Sequence, residues 1–274
     1  MSEMASNSPS VTIIIATYNR SVTLRLSLET VLLQDFTNFE VWIIGDGCTD
    51  DSGEVVSSFN DDRLHWFNLP SNSGTPSLPR NEGLRRARGE FVAYLNHDDL
   101  WFPWHLSGLM SCIEQNNSDF VFSLGAIIGK DGVAGSYCVP KGPTPSNWLH
   151  RKALTEIIGL WSPDVKYATD VDFLERVLST DLSTAFRQQI SVLKFPAAWW
   201  QMYALTSDFP QSKYVETMHR NPEALHLEIL LELATVVARS GSLKSQYKGF
   251  LPKPLRSLIW RTFAVYGMQR WPVA

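Results

Sequence analysis

The sequence predicts an α/β protein with a doubly wound, mostly parallel β-sheet. Short apolar runs rich in β-branched residues alternate with segments whose apolar residues recur at helical spacing. Continuous apolar runs are typical of strands covered on both faces, and strands that alternate with helices form parallel sheets through right-handed crossovers. The 274 residues and the 44% apolar content suffice for one large domain with a substantial core.

The first hundred residues contain four predicted strands and three predicted helices. The strands are residues 11–16, 39–44, 63–69 and 91–95. The helices run from 21 to about 34, from 52 to about 59, and from 78 to 87. Glycine, proline, serine and asparagine lie between these segments, as expected for the connecting loops.

The later part predicts a small antiparallel segment and a helical C-terminal extension. The predicted elements are a helix from 103 to 115, a hairpin of 119–128 and 133–139 around an Asp-Gly turn, a strand at 148–151, helices at 153–158 and 170–178, a strand at 190–195, and helices from 210 onward. We therefore expect a disordered N-terminus at 1–10, a main domain at 11–205 and an extension at 206–274.

Composition excludes several classes of protein. The net charge of −4 argues against a nucleic-acid partner. The three cysteines lack metal-ligand spacing and fit a reducing cytosol, and no apolar run reaches the roughly 18 residues of a membrane span. The first ten residues lack an apolar core, so we expect no signal peptide.

The C-terminal 34 residues carry six basic and no acidic residues. Residues 253–271 mix these bases with leucine, isoleucine, phenylalanine and tryptophan, which suits a helix at an anionic membrane surface. A helix packed on the main domain with solvated charges is the alternative. The oligomeric state is not determined by any of these features.

Polar residues follow three predicted strands. Thr17 and Tyr18 follow the first strand, Asp46 follows the second, and Asp98 and Asp99 follow the fourth. Because the carboxyl ends of parallel strands share one edge of a sheet, we expect these side chains to lie close together. Adjacent carboxylates repel, and a bound Mg²⁺ or Mn²⁺ would relieve that repulsion. Solvated loop acids or a helix cap are the alternative for this pair.

Two further positions are candidates from the residues alone. Asp46 is placed to accept hydrogen bonds from a ribose or a base, although an aspartate in a turn is the simpler explanation. Asp170 and Asp172 begin a predicted helix, where they act either as a general base or as acids that favour the helix dipole. The pattern GxGxxG is missing, which disfavours a dinucleotide fold.

Taken together, four segments resemble the family 2 glycosyltransferases with the GT-A fold. The segments are VTIIIATYNR, IIGDGCTDDS, NSGTPSLPRNEGLRRARGEFVAYLNHDDLW and TDVDFLERV, and their order and spacing match from residue 11 to 177. The third segment is the most specific because it holds Arg80-Asn81 and the acid pair in one register.

The resemblance implies a role for each matching position. Residues Thr17, Tyr18 and Asp46 match positions that hold the base and ribose of a sugar donor. Residues Arg80 and Asn81 match the segment that lines the donor pocket. In the acid motif, Asp99 matches the metal ligand, and Asp98 a second ligand or a contact to ribose or sugar. Asp170 matches the catalytic base, with Asp172 in reserve.

The sequence also departs from the family pattern. Asn96 stands where many members have the first aspartate of the acid motif; it keeps a donor-binding amide but loses a charge. Thr169 replaces the usual glutamate before the base. His97 occupies a variable position and is read as a neighbour of the site, not as a ligand.

The expected activity is therefore an inverting, metal-dependent transfer of a sugar from a nucleotide-diphosphate sugar, with UDP favoured. The cofactor would be Mn²⁺ or Mg²⁺, and the acceptor a hydroxyl of a glycan or lipid-linked molecule, reached in the cytoplasm or at the inner face of the membrane. A sugar nucleotidyltransferase is the alternative enzyme, although the glycine-rich loop of that class is replaced by Thr17-Tyr18-Asn19-Arg20. A non-catalytic nucleotide-sugar-binding protein is the third hypothesis.

Overall fold

The computed structural model describes residues 8–137, 144–165, 167–196 and 209–240. The strands are β1 (Val11–Thr17), β2 (Phe39–Gly45), β3 (Leu64–Asn68), β4 (Phe91–Tyr94), β5 (Leu100–Trp101), β6 (Phe120–Gly129), β7 (Gly132–Tyr137), β8 (Trp148–Arg151) and β9 (Thr184–Lys194). The helices are α1 (Ser21–Leu32), α2 (Ser52–Ser58), α3 (Ser77–Arg86), α4 (His105–Gln115), α5 (Leu154–Ile158), α6 (Thr169–Leu178), α7 (Gln211–Arg220) and α8 (Pro222–Ser240). A short 3-10 helix, Pro145–Asn147, precedes β8.

The strands form one sheet in the order β3-β2-β1-β4-β8-β6-β9-β5, with β7 paired to β6. The half from β3 to β4 is parallel, as predicted. Beyond β4, strand β8 runs antiparallel to both neighbours, and β6–β7 and β5–β9 are antiparallel as well. The α/β class is confirmed, and the antiparallel part of the described sheet is larger than the sequence predicts.

Two strands differ from the sequence-based expectation. Strand β9 begins at Thr184, six residues before the predicted start, and its first part contains Arg187, Gln188 and Gln189. This polar stretch lacks an apolar run, but pairing with β6 holds it in the sheet, with register shifts near Ser123 and Leu124. The two-residue strand β5 was not predicted, because it is defined by its pairing with β9 and not by a local pattern.

The alternation of β1 places successive side chains on two cores. Ile13 and Ile15 pack in the cluster that contains the apolar faces of α1 and α4. Ile14 packs on the opposite side with Leu84 of α3 and Phe173 of α6. Both faces of the central strand are thus covered by helices, which is why the strand reads as a continuous apolar run.

Helices α7 and α8 pack against the sheet. Tyr214, Val215, Leu225 and Ile229 belong to a third buried cluster that includes residues of β6 and β9. The predicted domain limits stay predictions, and the boundary near residue 205 lies outside the described residues, as do residues 1–7 and the basic segment 253–271. None of the helices in the described part of the chain is long and apolar enough to cross a membrane.

Candidate active site

The ends of β1, β2 and β4 meet at one edge of the sheet, as the sequence predicts. The backbone N–H of Asp46 donates to the carbonyl of Thr17 at 2.8 Å, which joins the ends of β2 and β1. Nδ1 of His97 lies 3.1 Å from the carbonyl oxygen of Ala16, which ties the segment after β4 to the same edge. The residues that follow β1, β2 and β4 are therefore neighbours in space.

Thr17, Tyr18 and Asp46 form the outer part of this edge. Thr17 is 2% exposed, and its hydroxyl finds no hydrogen-bond partner among the described residues. The buried carboxylate of Asp46 accepts a hydrogen bond from the backbone N–H of Ser73 at 3.0 Å, while Tyr18 is 46% exposed. A buried hydroxyl without a partner and an exposed phenol are groups that a polar ligand can engage; their roles in donor binding stay predictions.

The carboxylate of Asp99 is fully buried and surrounded by donors. Its Oδ2 accepts hydrogen bonds from Nδ2 of Asn96 at 3.0 Å, the hydroxyl of Ser146 at 2.6 Å and the ammonium of Lys194 at 3.2 Å. Its Oδ1 lies 3.3 Å from the donating backbone N–H of Phe195. Burial raises the pKa of Asp99, and the charge of Lys194 opposes that rise. Metal coordination by Asp99 stays a prediction.

Asp98 has the opposite surroundings. It is buried, but within the described ranges no group donates a hydrogen bond to its carboxylate; its backbone carbonyl accepts from Nε2 of Gln211 at 3.1 Å. A buried carboxylate that accepts no hydrogen bond from the described residues suits a hard cation such as Mg²⁺ or Mn²⁺. The described side chains include no group of three His, Cys, Asp or Glu placed to hold a metal. A cation at Asp98 would therefore need oxygen ligands from a substrate or from water.

Arg80, on α3, is a buried cation held by neutral partners. Its two terminal nitrogens donate to the hydroxyl of Thr169 at 3.3 Å and to Oδ1 of Asn96 at 3.2 Å. The guanidinium also lies over the ring of Trp161, 4.3 Å from its centroid. Burial lowers the pKa of Arg80 to about 10, and the nearby carboxylate of Asp170 acts in the opposite direction. Arg80 stays protonated at neutral pH, so the site holds a fixed positive charge.

Both polar atoms of the Asn81 side chain bond to the protein. Its Nδ2 donates to the carbonyl of Trp161 at 2.8 Å, and its Oδ1 accepts from the backbone N–H of Trp161 at 2.9 Å. These two bonds hold the segment that carries the ring beneath Arg80. Direct binding of a donor by Asn81 stays a prediction, and the geometry favours a structural role.

Asp170 lies on a cavity of about 300 Å³ whose wall also includes Arg80, Asn96 and Lys194. It is the second residue of α6, which starts directly after Ala168 in a left-handed conformation with φ of 53°. Such backbone is uncommon for residues other than glycine and is enriched at functional sites. The cavity brings a carboxylate of the predicted base position next to the cationic part of the site.

Asp172 is engaged elsewhere. Its carboxylate pairs with the guanidinium of Arg176 one turn later, at 2.8 Å. Arg176 in turn donates to the carbonyls of Ile158 and Leu160, which ties α6 to the preceding loop. An ion pair with a structural partner makes Asp172 a poorer candidate for the base than Asp170.

Ser146 and Lys194 contact Asp99, and neither was singled out from the sequence. Ser146 lies in the short 3-10 helix Pro145–Asn147, in a stretch without a recognisable motif, and the fold brings it to Asp99. Lys194 is the one charged residue in the apolar stretch ISVLKFPAAWW. A lone cation at the end of a buried strand is a signal that would have found it.

Comparison with known proteins decides the family. The family model described as "Glycosyl transferase family 2" matches residues 12–165, more than half of the chain. The chain belongs to glycosyltransferase family 2. The match runs from β1 to the loop after α5 and includes Asp46, Arg80 and the acid pair, which confirms the family inferred from the sequence motifs; the fourth segment, with Asp170, lies beyond the matched residues.

Individual relatives agree with this family assignment. The chain is 30% identical over 139 residues to the Escherichia coli enzyme WfgD, named as a UDP-Glc:α-D-GlcNAc-diphosphoundecaprenol β-1,3-glucosyltransferase, covering 51% of this chain and 54% of WfgD. The first 349 residues of Staphylococcus aureus TarS in complex with UDP-GlcNAc superpose with a TM-score of 0.61 at 21% identity, covering 94% of this chain and 80% of that structure. A Pyrobaculum calidifontis mannosyltransferase with GDP-Man and Mn²⁺ superposes with a TM-score of 0.56 at 18% identity, covering 94% and 80%.

The superpositions confirm the GT-A fold of this family 2 member. At these identities they show the fold alone. The sequence match spans about half of WfgD, and 20% or less of the length of several other curated relatives.

Proposed function

We propose that this family 2 member is an inverting, metal-dependent glycosyltransferase that moves a sugar from a nucleotide-diphosphate sugar, with UDP favoured, to an acceptor hydroxyl. The observation that carries the proposal is the cavity in which Asp170 lies with Arg80, Asn96 and Lys194. A carboxylate beside a cationic wall provides a base for the acceptor and positive charge for a departing diphosphate.

In this mechanism, different residues bind the donor and activate the acceptor. Thr17, Tyr18 and Asp46 bind the base and ribose at the edge formed by β1 and β2. The carboxylate of Asp170 accepts the proton of the acceptor hydroxyl as that oxygen attacks the anomeric carbon. The bond to the diphosphate breaks on the opposite face, and its electron pair leaves with the diphosphate. A single displacement of this kind inverts the anomeric configuration.

A divalent cation, Mn²⁺ or Mg²⁺, belongs to this proposal. Asp98 would be the first ligand, because the described residues donate no hydrogen bond to its buried carboxylate, and Asp99 would be the second. The cation would neutralise the diphosphate and lower the energy of the leaving group. The structural neighbour in complex with GDP-Man and Mn²⁺ supports this choice of cofactor.

The acceptor is proposed to be a glycan or a lipid-linked saccharide in polysaccharide or other glycoconjugate synthesis, at the cytoplasmic face of a membrane. The name of WfgD, a relative that uses an undecaprenol-linked acceptor, supports this class. The basic and aromatic segment 253–271 is proposed to give peripheral contact with such a membrane.

The test is turnover of a panel of nucleotide sugars with Mn²⁺ or Mg²⁺, in parallel with EDTA, with the anomeric configuration of the product read by NMR. Replacement Asp170→Asn should lower the rate roughly 10²- to 10⁴-fold, because the general base is lost. Asp172→Asn is the matched control on the same helix turn and should keep the rate within a few-fold. Equal rates for wild type and Asp170→Asn, or a product with retained configuration, would overturn the mechanism.

A further inference from the structure

We propose that Lys194 binds the diphosphate of the sugar donor, as a cation supplied by the last strand of the sheet. The inference rests on the proposed function and adds a residue that the family motifs do not include. It concerns one contact, between the Lys194 ammonium and the phosphate oxygens of the leaving group.

The fold brings Lys194 to the acid pair from a distant part of the chain. Lys194 is the last residue of β9, and the preceding Leu193 pairs with Leu100 of β5, directly after Asp99. The side chain is only 16% exposed, and its ammonium lies 3.2 Å from Oδ2 of Asp99. The lysine stem is thus fixed by packing, and its charged end reaches the place where the two acids follow β4.

A continuous chain of hydrogen bonds links Lys194 to Arg80. Arg80 donates to the Asn96 carbonyl, the Asn96 amide donates to Asp99, and Lys194 donates to the same oxygen of Asp99. With Asp99 ionised, this set of four residues has a formal charge of +1, from two cations and one carboxylate. An aspartate in place of Asn96 would bring the sum to zero.

Both cations face the cavity, together with the carboxylate of Asp170. Arg80, Asn96 and Lys194 all contribute to its wall, so an anionic group in the cavity meets both cations. A donor diphosphate has the required charge, and its negative charge grows on the departing oxygen during transfer. A preorganised ammonium in a partly buried site stabilises such charge more than an ammonium in water does.

A purely structural role is the rival explanation, in which Lys194 only neutralises Asp99. The two roles differ in what happens when both members of the pair are removed. If Lys194 acts only through Asp99, then Lys194→Met adds nothing in an Asp99→Asn background. If it contacts phosphate, the loss persists in that background.

The experiment is calorimetric binding of UDP and of uridine to the full chain, with Mn²⁺ and with EDTA. Variants are Lys194→Arg, Lys194→Met, Asp99→Asn and the double variant. We expect Lys194→Met to weaken UDP binding roughly 10- to 100-fold and leave uridine binding unchanged, while Lys194→Arg stays within a few-fold of wild type. The double variant should bind UDP at least about tenfold more weakly than Asp99→Asn alone. Because no acceptor is present, a diphosphate on the acceptor cannot produce this result.

Two results would overturn the inference. One is an equal loss for UDP and uridine in Lys194→Met; the other is a double variant that binds UDP as Asp99→Asn does. The double variant also removes the buried pair together, so it decides the question if the single lysine variant fails to fold. Failure of wild type to bind UDP or any other nucleoside diphosphate would instead reject the proposed function itself.

Discussion

Replacement of Asn81 by alanine separates a structural role from a direct role in donor binding. Both polar atoms of this side chain bond the backbone of Trp161, at 2.8 and 2.9 Å, and Trp161 is 1% exposed. Alanine leaves a buried N–H and a buried carbonyl without partners, and each such group costs about 1–3 kcal/mol. We therefore expect Asn81→Ala to lower the free energy of unfolding by about 2–6 kcal/mol, a large part of the stability of a typical domain.

The assay is urea denaturation at neutral pH, followed by UDP binding at a temperature where the variant is folded. Asn38→Ala is the matched control, because Asn38 is exposed and makes one side-chain bond, to the hydroxyl of Ser10 at 2.7 Å. The control should change the free energy of unfolding by less than about 0.5 kcal/mol. Wild-type stability of Asn81→Ala together with a tenfold loss of UDP affinity would refute the structural role and restore Asn81 as a direct donor contact.

Three further predictions concern stability. Gly83→Ala should lower the free energy of unfolding by about 1–3 kcal/mol, because the new Cβ would lie 2.6 Å from Cγ2 of Ile14. Gly74 has φ of +71°, and a Cβ added there would meet open space. Gly74→Ala should therefore lower the free energy of unfolding only through backbone strain, by about 1–2 kcal/mol, as measured by thermal unfolding. Burial lowers the pKa of His150 from 6.5 to about 4. Because the pKa of His150 is lower in the folded than in the unfolded protein, the contribution of neutral His150 to the free energy of unfolding is fully present above pH 6.5. This contribution is lost as the pH falls toward 4. Between these pH values, His150 should change the free energy of unfolding by up to about 1.36 kcal/mol per pH unit. Denaturation of His150→Gln at several pH values should no longer show this part of the pH dependence. An unchanged pH dependence in the variant would contradict its origin in His150.

The edge of the sheet could be predicted from the sequence because a local sequence pattern identifies each of its parts. A strand, the polar residues that end it and the helix that follows are consecutive in the chain, and the parallel order then brings the ends together. Thr17, Asp46 and Asp98 were placed correctly for this reason. The helix that carries Asp170 was also predicted, from its apolar spacing and the acids in its first turn.

The contacts that define the surroundings of the acid pair could not be predicted in this way. Ser146 and Lys194 are 47 and 95 residues from Asp99 in the chain, and neither separation follows from a local pattern. The motif also identified Asn81 without indicating which way its amide points. Its two bonds to Trp161 depend on the packing of α3 against the loop that precedes α6.

The two positions at which this chain departs from the family motifs contact the same side chain. Asn96 and Thr169 replace residues that are acidic in many members, and each accepts a hydrogen bond from Arg80. A buried guanidinium whose hydrogen-bond partners are neutral keeps its charge unneutralised at short range, which costs free energy unless an anion approaches. Within the described chain, no carboxylate lies within salt-bridge distance of Arg80. The departures therefore act together: they leave the cavity wall more positive, beside Lys194, at the place where a diphosphate would bind and leave.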